Sequence, residues 1–172
     1  IIFHKKNLGK GAAIQTAKEY ISGDIVLIQD ADLEYDPQDY KKLIQPIING
    51  ETQVVYGSRV LGKKRYFVKN FSSIYRIFFN HVLTVFSNVL NKQDLTDAHT
   101  CYKVFSTKLF NSIELRENGF SFCPEITTKI SKKNISIIEI PIAYHGRSYK
   151  EGKKIKVSDG FEAIITILKY KF

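Results

Sequence analysis

Two aspartates, Asp30 and Asp32, stand one residue apart directly after a short apolar run over residues 25–28. Such a run is typical of a strand buried on both faces of a parallel sheet, and ligands bind beyond the carboxyl ends of such strands. Carboxylate oxygens are ligands that Mg²⁺ and Mn²⁺ accept together with phosphate oxygens. The spacing therefore predicts a divalent-cation site at Asp30 and Asp32, which also bind the substrate through the cation. The alternative is a pair of turn residues that cap the next segment.

A glycine-containing turn, Asn7-Leu8-Gly9-Lys10-Gly11, precedes a predicted helix over residues 12–21. Backbone amides at a helix N-terminus favour anions, and Lys10 adds positive charge. The spacing is not that of a P-loop. Phosphate binding by Asn7, Gly9, Lys10 and Gly11 is one interpretation, and a strand-to-helix turn that needs glycine for its geometry is the other.

A second basic loop runs from Tyr144-His145-Gly146-Arg147 to Glu151-Gly152-Lys153-Lys154. Arginine can hold a phosphate group through two parallel hydrogen bonds. Arg147 and Lys154 are therefore candidates for a phosphate clamp, with a solvated surface loop as the alternative.

Two further acidic residues, Asp97 and Glu125, are candidates for a general base. Asp97 precedes a predicted short strand over residues 101–105, and Glu125 follows Pro124 at a predicted helix start. An acid in the first helical turn also stabilises the helix dipole, so a structural role competes strongly for Glu125.

The elements that must position these residues alternate along the chain. Apolar patterning predicts strands over 25–28, 53–57, 101–105 and 135–142, and the first three residues read as the end of another strand. Helices are predicted from Asp36-Pro37, over 71–90, from Thr107, from Pro124 to about 132, and over 161–170 with Ser158 or Asp159 as cap. This order predicts one α/β domain with a mostly parallel sheet.

The net charge of +9 points to anionic partners. Between Arg59 and Gln93 the chain has Lys and Arg but no Asp or Glu, and this stretch leads into an aromatic-rich helix. Basic charge beside exposed apolar area favours docking on an anionic membrane surface, whereas a core helix beside a solvated loop is the alternative. A nucleic-acid-binding domain would also fit the charge, but no recognised motif supports it, so we expect no nucleic-acid partner.

Two lone cysteines without metal-ligand spacing fit a reducing compartment. We therefore expect a cytoplasmic protein that is peripherally associated with the cytoplasmic face of the membrane.

Six segments of the chain resemble family 2 glycosyltransferases of the dolichol-phosphate mannosyltransferase and polyprenyl-phosphate glucosyltransferase type. They are NLGKGAAIQTA, DIVLIQDADLEYDP, YGSR, DLTDAHTCYKVFS, FCPEITTKI and IPIAYHGRSYKEGKKI with its trailing DG. Their order and spacing match the family over nearly the whole chain. The segments DADLEYDP and YHGRSYKEGKKI are the more specific of the six.

The resemblance implies a GT-A fold and an inverting transfer of a hexose from GDP-mannose or UDP-glucose to a polyprenyl or dolichyl phosphate, with Mg²⁺ or Mn²⁺ as cofactor. It implies site roles for Asp30 and Asp32 on the metal, for Gly9, Lys10 and Gly11 near the nucleotide, for Arg59 and Arg147 near phosphate groups, and for Asp97 and Glu125 near the reacting sugar. The family usually begins with a strand ending in Tyr-Asn-Glu, and the chain lacks both that motif and any Met. The resemblance thus predicts a single domain over residues 1–172 without its N-terminal nucleotide-binding segment.

Other functions fit the same residues. A saccharide acceptor in cell-envelope polysaccharide synthesis would need Asp97 or Glu125 as a base for the sugar hydroxyl, whereas a lipid phosphate is already an anion. A non-catalytic domain that binds a nucleotide sugar is the third possibility.

Overall fold

The computed structural model describes residues 1–62, 71–147 and 157–172 of the chain. The helices and strands alternate, and their positions match the apolar patterning closely. In chain order they are α1 (Lys10–Lys18), β1 (Ile25–Ile28), α2 (Tyr40–Ile48), β2 (Val54–Ser58), α3 (Phe71–Asn91), β3 (Lys103–Ser106), α4 (Thr107–Asn111), α5 (Phe122–Lys132), β4 (Ile138–Pro141) and α6 (Val157–Lys171).

The sheet has the strand order β1-β3-β2-β4. β4 lies parallel to β2, and β3 is antiparallel to both β1 and β2. Three strands therefore point the same way, in line with the predicted mostly parallel sheet, but the prediction needs correction at β3. That strand lies between β1 and β2, so the sheet is mixed.

The reversal at β3 determines which loops meet. Ile28, the last residue of β1, is paired with Lys103, the first residue of β3. The segment before β3 therefore shares one edge of the sheet with the segments after β1, β2 and β4. This edge collects most of the residues that the sequence marks as candidates for chemistry.

The core lies around β2, whose five residues are all buried. Apolar side chains from α2, β3, α4 and α5 pack on it, among them Leu43, Phe105, Phe110, Phe122 and Ile126. Burial of such side chains contributes roughly 1.5–3 kcal/mol each, which fixes the sheet edge as a rigid support for the loops.

Helices α3 and α6 expose much of their apolar surface. On α3 the exposed side chains follow helical spacing, and α6 repeats the pattern; they are Phe78, Phe79, Val82, Val85 and Val89 on α3, and Phe161, Ile165, Leu168 and Phe172 on or just after α6. We call these nine residues the α3–α6 apolar face. A Cβ atom added at Gly160 would lie 3.9 Å from the Leu83 side chain, so the two helices approach each other there.

The inner side of α3 is polar, because Thr84, Ser87 and Asn91 are buried. Asn91 donates to the Ser87 and Thr128 hydroxyls at 3.2 and 3.1 Å. The amphipathic helix predicted over 71–90 is therefore present, but its apolar stripe faces outwards. Within the described ranges, none of the helices combines the length and the apolar character that a membrane crossing requires.

Several element boundaries test the sequence-based predictions. Asp36 caps a short 3-10 turn that leads into α2, and its carboxylate accepts a hydrogen bond from the Gln38 amide at 2.9 Å, as predicted. The predicted strand at residues 1–3 is wrong, because these residues are not paired with the sheet. The predicted start of α6 is also wrong, since the helix begins at Val157, before Ser158.

Candidate active site

Asp30 and Asp32 lie in the loop that leaves β1, at the sheet edge where the loops meet. The Asp30 carboxylate binds the Lys10 ammonium through both oxygens, at 2.7 and 2.9 Å. Lys10 is the first residue of α1, and its Nζ also lies 3.2 Å from Cys101 Sγ. The glycine-containing turn and the acidic loop therefore meet through this ion pair, although 20 residues separate them in sequence.

Asp32 is held differently. One of its oxygens accepts the Glu34 amide at 3.2 Å and closes a tight turn, and the other accepts a hydrogen bond from Arg147 Nη2 at 2.8 Å. Leu33, within that turn, has φ of +61°, a conformation that is uncommon for a bulky residue. The side chains of Asp30 and Asp32 remain 31 % and 25 % exposed.

Glu34 holds the start of the second basic loop through hydrogen bonds. Its buried carboxylate accepts the Tyr144 hydroxyl at 2.9 Å and the Arg147 amide at 2.8 Å, and its carbonyl accepts the His145 amide at 2.8 Å. An antiparallel bridge between Tyr35 and Tyr144 joins the same two segments. Glu34 was not among the predicted site residues. Its position between Asp32 and Asp36, in the loop that follows a buried strand, was the one signal for it.

Gly9 and Gly11 have a structural reason to be glycine. A Cβ atom at either position would collide with the backbone oxygen of Asn118 or Glu117. The Ala12 amide donates to the Asn118 carbonyl at 3.0 Å, and Gly9 has φ of +95°. Close backbone approach thus explains both glycines, and their predicted contact with a nucleotide remains a prediction.

Asn7 of the same turn and Lys154 of the second basic loop were also predicted to bind the substrate. Asn7 is exposed, and its side-chain oxygen accepts the Gly9 amide at 2.9 Å, so it shapes the turn. Lys154 lies outside the described residues.

Arg59 and Asp97 form a second, sealed ion pair at the same edge. Asp97 is fully buried and accepts Arg59 Nε at 2.6 Å, Arg59 Nη2 at 2.8 Å, the Arg59 amide at 3.1 Å and the Asn80 side chain at 3.2 Å. Burial alone would raise the pKa of Asp97, but the Arg59 charge and these hydrogen bonds lower the pKa to about 2. The Arg59 guanidinium also lies 5.2 Å from the Tyr144 ring centroid, so Tyr144 connects this pair to Glu34.

Glu125 is fully buried in the first turn of α5. Its carboxylate accepts the Arg116 amide at 2.8 Å, the Glu117 amide at 3.0 Å and Lys129 Nζ at 2.6 Å. It therefore braces the 116–118 segment, against which α1 begins. Contact with the reacting sugar stays a prediction for both Glu125 and Asp97.

The carboxylates of Asp30 and Asp32 are oxygen donors that suit a hard cation, both are partly exposed, and Asp30 lines an open pocket. Gln29, Asp30, Leu33, Tyr40 and His145 are among the residues that line this pocket. In the described part of the chain, no group of three or more His, Cys, Asp or Glu side chains is placed to hold a metal ion. A cation here would complete its oxygen shell with water or with phosphate oxygens from a ligand.

Comparison with known proteins gives a family match over most of the chain. The model of the glycosyl transferase family 2 matches residues 1–114. The low-salt glycan biosynthesis hexosyltransferase Agl6 of Haloferax volcanii is 29 % identical over 147 residues, which cover 86 % of this chain and 35 % of the relative. The UDP-N-acetylglucosamine–dolichyl-phosphate N-acetylglucosaminyltransferase of Methanococcus voltae is 30 % identical over 175 aligned positions, which cover 99 % of this chain and 68 % of the relative.

A solved structure shares the fold. Glucosyl-3-phosphoglycerate synthase of Mycobacterium tuberculosis, crystallised with Mn²⁺, UDP-glucose and phosphoglyceric acid, superposes with a TM-score of 0.63 at 19 % identity, over 95 % of this chain and 55 % of that chain. This likeness confirms the predicted GT-A fold. At 19 % identity it concerns the fold alone.

Proposed function

This chain belongs to glycosyl transferase family 2, and from that premise we propose that it transfers a hexose from a nucleotide sugar to a polyprenyl or dolichyl phosphate. The observation that carries the proposal is the partly exposed pair Asp30 and Asp32, with Lys10 and Arg147 beside it at one sheet edge. The proposed donor is GDP-mannose or UDP-glucose. Two relatives of the chain, a hexosyltransferase and a dolichyl-phosphate N-acetylglucosaminyltransferase, support this class of reaction.

Asp30 and Asp32 are the proposed ligands of Mg²⁺ or Mn²⁺. When bound, the cation supplies positive charge that stabilises the departing nucleoside diphosphate. Lys10 and Arg147 are close enough to add charge on the same leaving group. Arg59 is held by the buried Asp97 carboxylate, so its proposed role is to keep a fixed positive charge at this edge.

The hydrogen bonds that the carboxylates of Asp97 and Glu125 accept bear on the choice of acceptor. A sugar hydroxyl must lose its proton, so that acceptor needs a carboxylate with free lone pairs and a suitable pKa. Asp97 has a pKa of about 2, and both carboxylates are filled with hydrogen-bond donors. A lipid phosphate needs no strong base, which favours it over a saccharide hydroxyl.

The proposed membrane contact is the α3–α6 apolar face. Surface helices of globular proteins normally bury their apolar stripe, whereas α3 buries Thr84, Ser87 and Asn91 and leaves Val89 74 % exposed. This inverted arrangement is stable when an apolar medium covers the outer side. The absence of Asp and Glu between Arg59 and Gln93, together with the net charge of +9, favours an anionic bilayer over a second copy of the same cationic chain. The docking is proposed at the cytoplasmic face.

Transfer assays on the purified protein test the reaction. GDP-mannose, UDP-glucose and UDP-N-acetylglucosamine are offered with Mn²⁺ or Mg²⁺ and a short polyprenyl phosphate. We expect turnover with one donor, and a loss on the order of 10²–10³-fold in Asp30→Asn and Asp32→Asn, as for other groups that stabilise leaving-group charge. Asp24→Asn is the matched control, because Asp24 is an exposed aspartate at the opposite end of β1.

Three outcomes separate the alternatives. Transfer to a saccharide but not to polyprenyl phosphate, with loss of turnover in Asp97→Asn or Glu125→Gln, would establish the saccharide acceptor. Donor binding without transfer to any acceptor would favour a non-catalytic binding domain. Equal turnover in Asp24→Asn, Asp30→Asn and Asp32→Asn would remove the metal-site proposal.

Vesicle co-sedimentation tests the membrane contact. With vesicles that contain phosphatidylglycerol, we expect Val89→Glu or Ile165→Glu to weaken binding about tenfold, since each removes apolar burial and adds repulsion. Ile48→Glu is the control, because Ile48 is an exposed apolar residue at the end of α2. Vesicle binding that does not depend on lipid charge would overturn the proposal. So would a protein that does not bind vesicles but forms a dimer that Val89→Glu breaks.

A further inference from the structure

Each carboxylate of the Asp30–Asp32 pair already has a cationic partner from a distant part of the chain. Lys10 Nζ lies 2.7 Å from one Asp30 oxygen and 2.9 Å from the other. Arg147 Nη2 lies 2.8 Å from one Asp32 oxygen, and the Glu34 amide occupies the other. Each of the four carboxylate oxygens that a metal ion would use therefore already has a cation or an amide as partner.

A metal ion that arrives alone must displace these cations or sit beside them. Two positive charges a few ångströms apart repel strongly where the surroundings are partly desolvated, and Lys10 is only 17 % exposed. Displacing it without a substitute leaves the ammonium, among the described residues, with the thiol of Cys101 at 3.2 Å as its remaining hydrogen-bond partner, and a thiol is a weak acceptor. A diphosphate provides the missing acceptors.

We propose that Lys10 and Arg147 are exchangeable counter-ions, which hold Asp30 and Asp32 until a metal–diphosphate arrives and then transfer to the phosphate oxygens. This inference rests on the proposed function, because it concerns how the same site is regulated. Its consequence is that metal and nucleotide bind cooperatively. The diphosphate takes over Lys10 and Arg147, whose charges oppose the metal ion, and the metal ion neutralises the carboxylates, whose charges oppose the diphosphate.

The two cations are suited to exchange because their backbones are fixed, whereas their charged groups are held through contacts with other side chains. Lys10 begins α1, where Gly9 and Gly11 lock the backbone against residues 117–118. The Arg147 amide is fixed by Glu34 at 2.8 Å, whereas its Nε is 3.4 Å from the same carboxylate. Both side chains can therefore move to a ligand and return to the carboxylates without any loop unfolding.

The direction in which the variants change the affinity for Mn²⁺ alone is the decisive test. Titration calorimetry or the paramagnetic resonance signal of free Mn²⁺ measures the affinity for the metal alone. We expect Lys10→Gln and Arg147→Gln to bind Mn²⁺ alone more tightly, on the order of tenfold, within the usual range of coupling between two sites. A residue that only supplies structure or substrate contacts would not produce a gain. Lys6→Gln is the control, because it removes one charge from an exposed side chain four positions before Lys10 in the sequence.

The second measurement uses UDP and GDP together with Mn²⁺. In the unmodified protein we expect either nucleotide to tighten Mn²⁺ binding, and we expect this coupling to shrink about tenfold in Lys10→Gln and Arg147→Gln. Unchanged or weaker binding of Mn²⁺ alone in both variants, relative to Lys6→Gln, would overturn the inference. If the unmodified protein binds Mn²⁺ and nucleotide independently, only the counter-ion exchange fails. If it binds neither, the proposed function fails with it.

Discussion

Two clusters in which aspartate meets a cationic side chain lie at the sheet edge, and they differ in the burial of the aspartate. In the open cluster, Asp30 and Asp32 keep 31 % and 25 % of their side chains exposed and meet Lys10 and Arg147. In the sealed cluster, Asp97 is fully buried and is saturated by Arg59 and Asn80. The same residue types thus serve two purposes a few residues from the ends of neighbouring strands.

The difference shows what separates a carboxylate that can exchange partners from one that cannot. Burial makes the loss of a partner costly, because an unpaired charge is left without water. Partial exposure makes the loss cheap, since water or another ion replaces the partner. Ligand binding needs the second condition, and fixing Arg59 in place needs the first.

The largest effect that follows from this comparison is on stability. We expect Asp97→Asn to lower the free energy of unfolding by about 3–5 kcal/mol, because Arg59 loses its buried counter-charge. Asp30→Asn should cost less, about 1–2 kcal/mol, because the Asp30 side chain is 31 % exposed and water can replace part of its contact with Lys10. Urea denaturation at pH 7 measures both, with the exposed Asp94→Asn as the control. Equal costs for Asp97→Asn and Asp30→Asn would show that the two clusters do not differ in the way the burial indicates.

The second effect is a pH dependence of the sealed cluster. The pKa of Asp97 is about 2 in the folded protein, against about 3.9 in an unfolded chain. The folded state therefore binds its proton later, and the carboxylate contributes roughly 2–3 kcal/mol of stability above pH 4. This contribution is lost as the pH falls from about 4 towards 2.

A comparison of two proteins isolates this term. The difference in unfolding free energy between the unmodified protein and Asp97→Asn should shrink as the pH falls through that window. Chemical denaturation at several pH values provides the measurement. A difference that stays constant down to pH 2 would mean that Asp97 is not held ionised by Arg59.

Much of the fold was predictable because its signals are local. The strand over residues 25–28 and the cap at Asp36 are correct as predicted, since an apolar run or a single side chain determines each. The direction of β3 was not predictable. Nothing in the residues 103–106 records which strands lie on either side, and that position is decided by the packing of the whole sheet.

The partners of the site residues were also out of reach of the sequence. Asp30 and Asp32 were found from their spacing, but their cations come from residues 20 positions before and 115 positions after them. Apolar spacing likewise predicted the stripe on α3 but left two alternatives for its cover, a membrane surface or the core, because periodicity defines a face without saying what covers it. Long-range contacts decide these points, and a single sequence does not encode them in any short pattern.

The smallest predicted effect concerns Glu34 and Glu139, whose carboxylates accept backbone amides next to the open and the sealed cluster. Glu34 accepts the Arg147 amide at 2.8 Å beneath the open cluster. Glu139 accepts the Thr96 and Asp97 amides at 2.6 and 2.9 Å beneath the sealed one. Replacing either with Gln keeps the shape and one acceptor oxygen, so we expect each to cost about 1–2 kcal/mol of stability.

Their effects on binding should differ, because only Glu34 orients an exchangeable cation. We expect Glu34→Gln to weaken the coupling between Mn²⁺ and nucleotide several-fold and Glu139→Gln to leave it unchanged, with calorimetric titration as the measurement. A double-mutant cycle of Glu34→Gln with Arg147→Gln should then show an interaction energy of about 1 kcal/mol, as is usual for residues in direct contact. Additive effects would mean that Glu34 holds the loop without positioning Arg147, and the open cluster would depend on its exposed side chains alone.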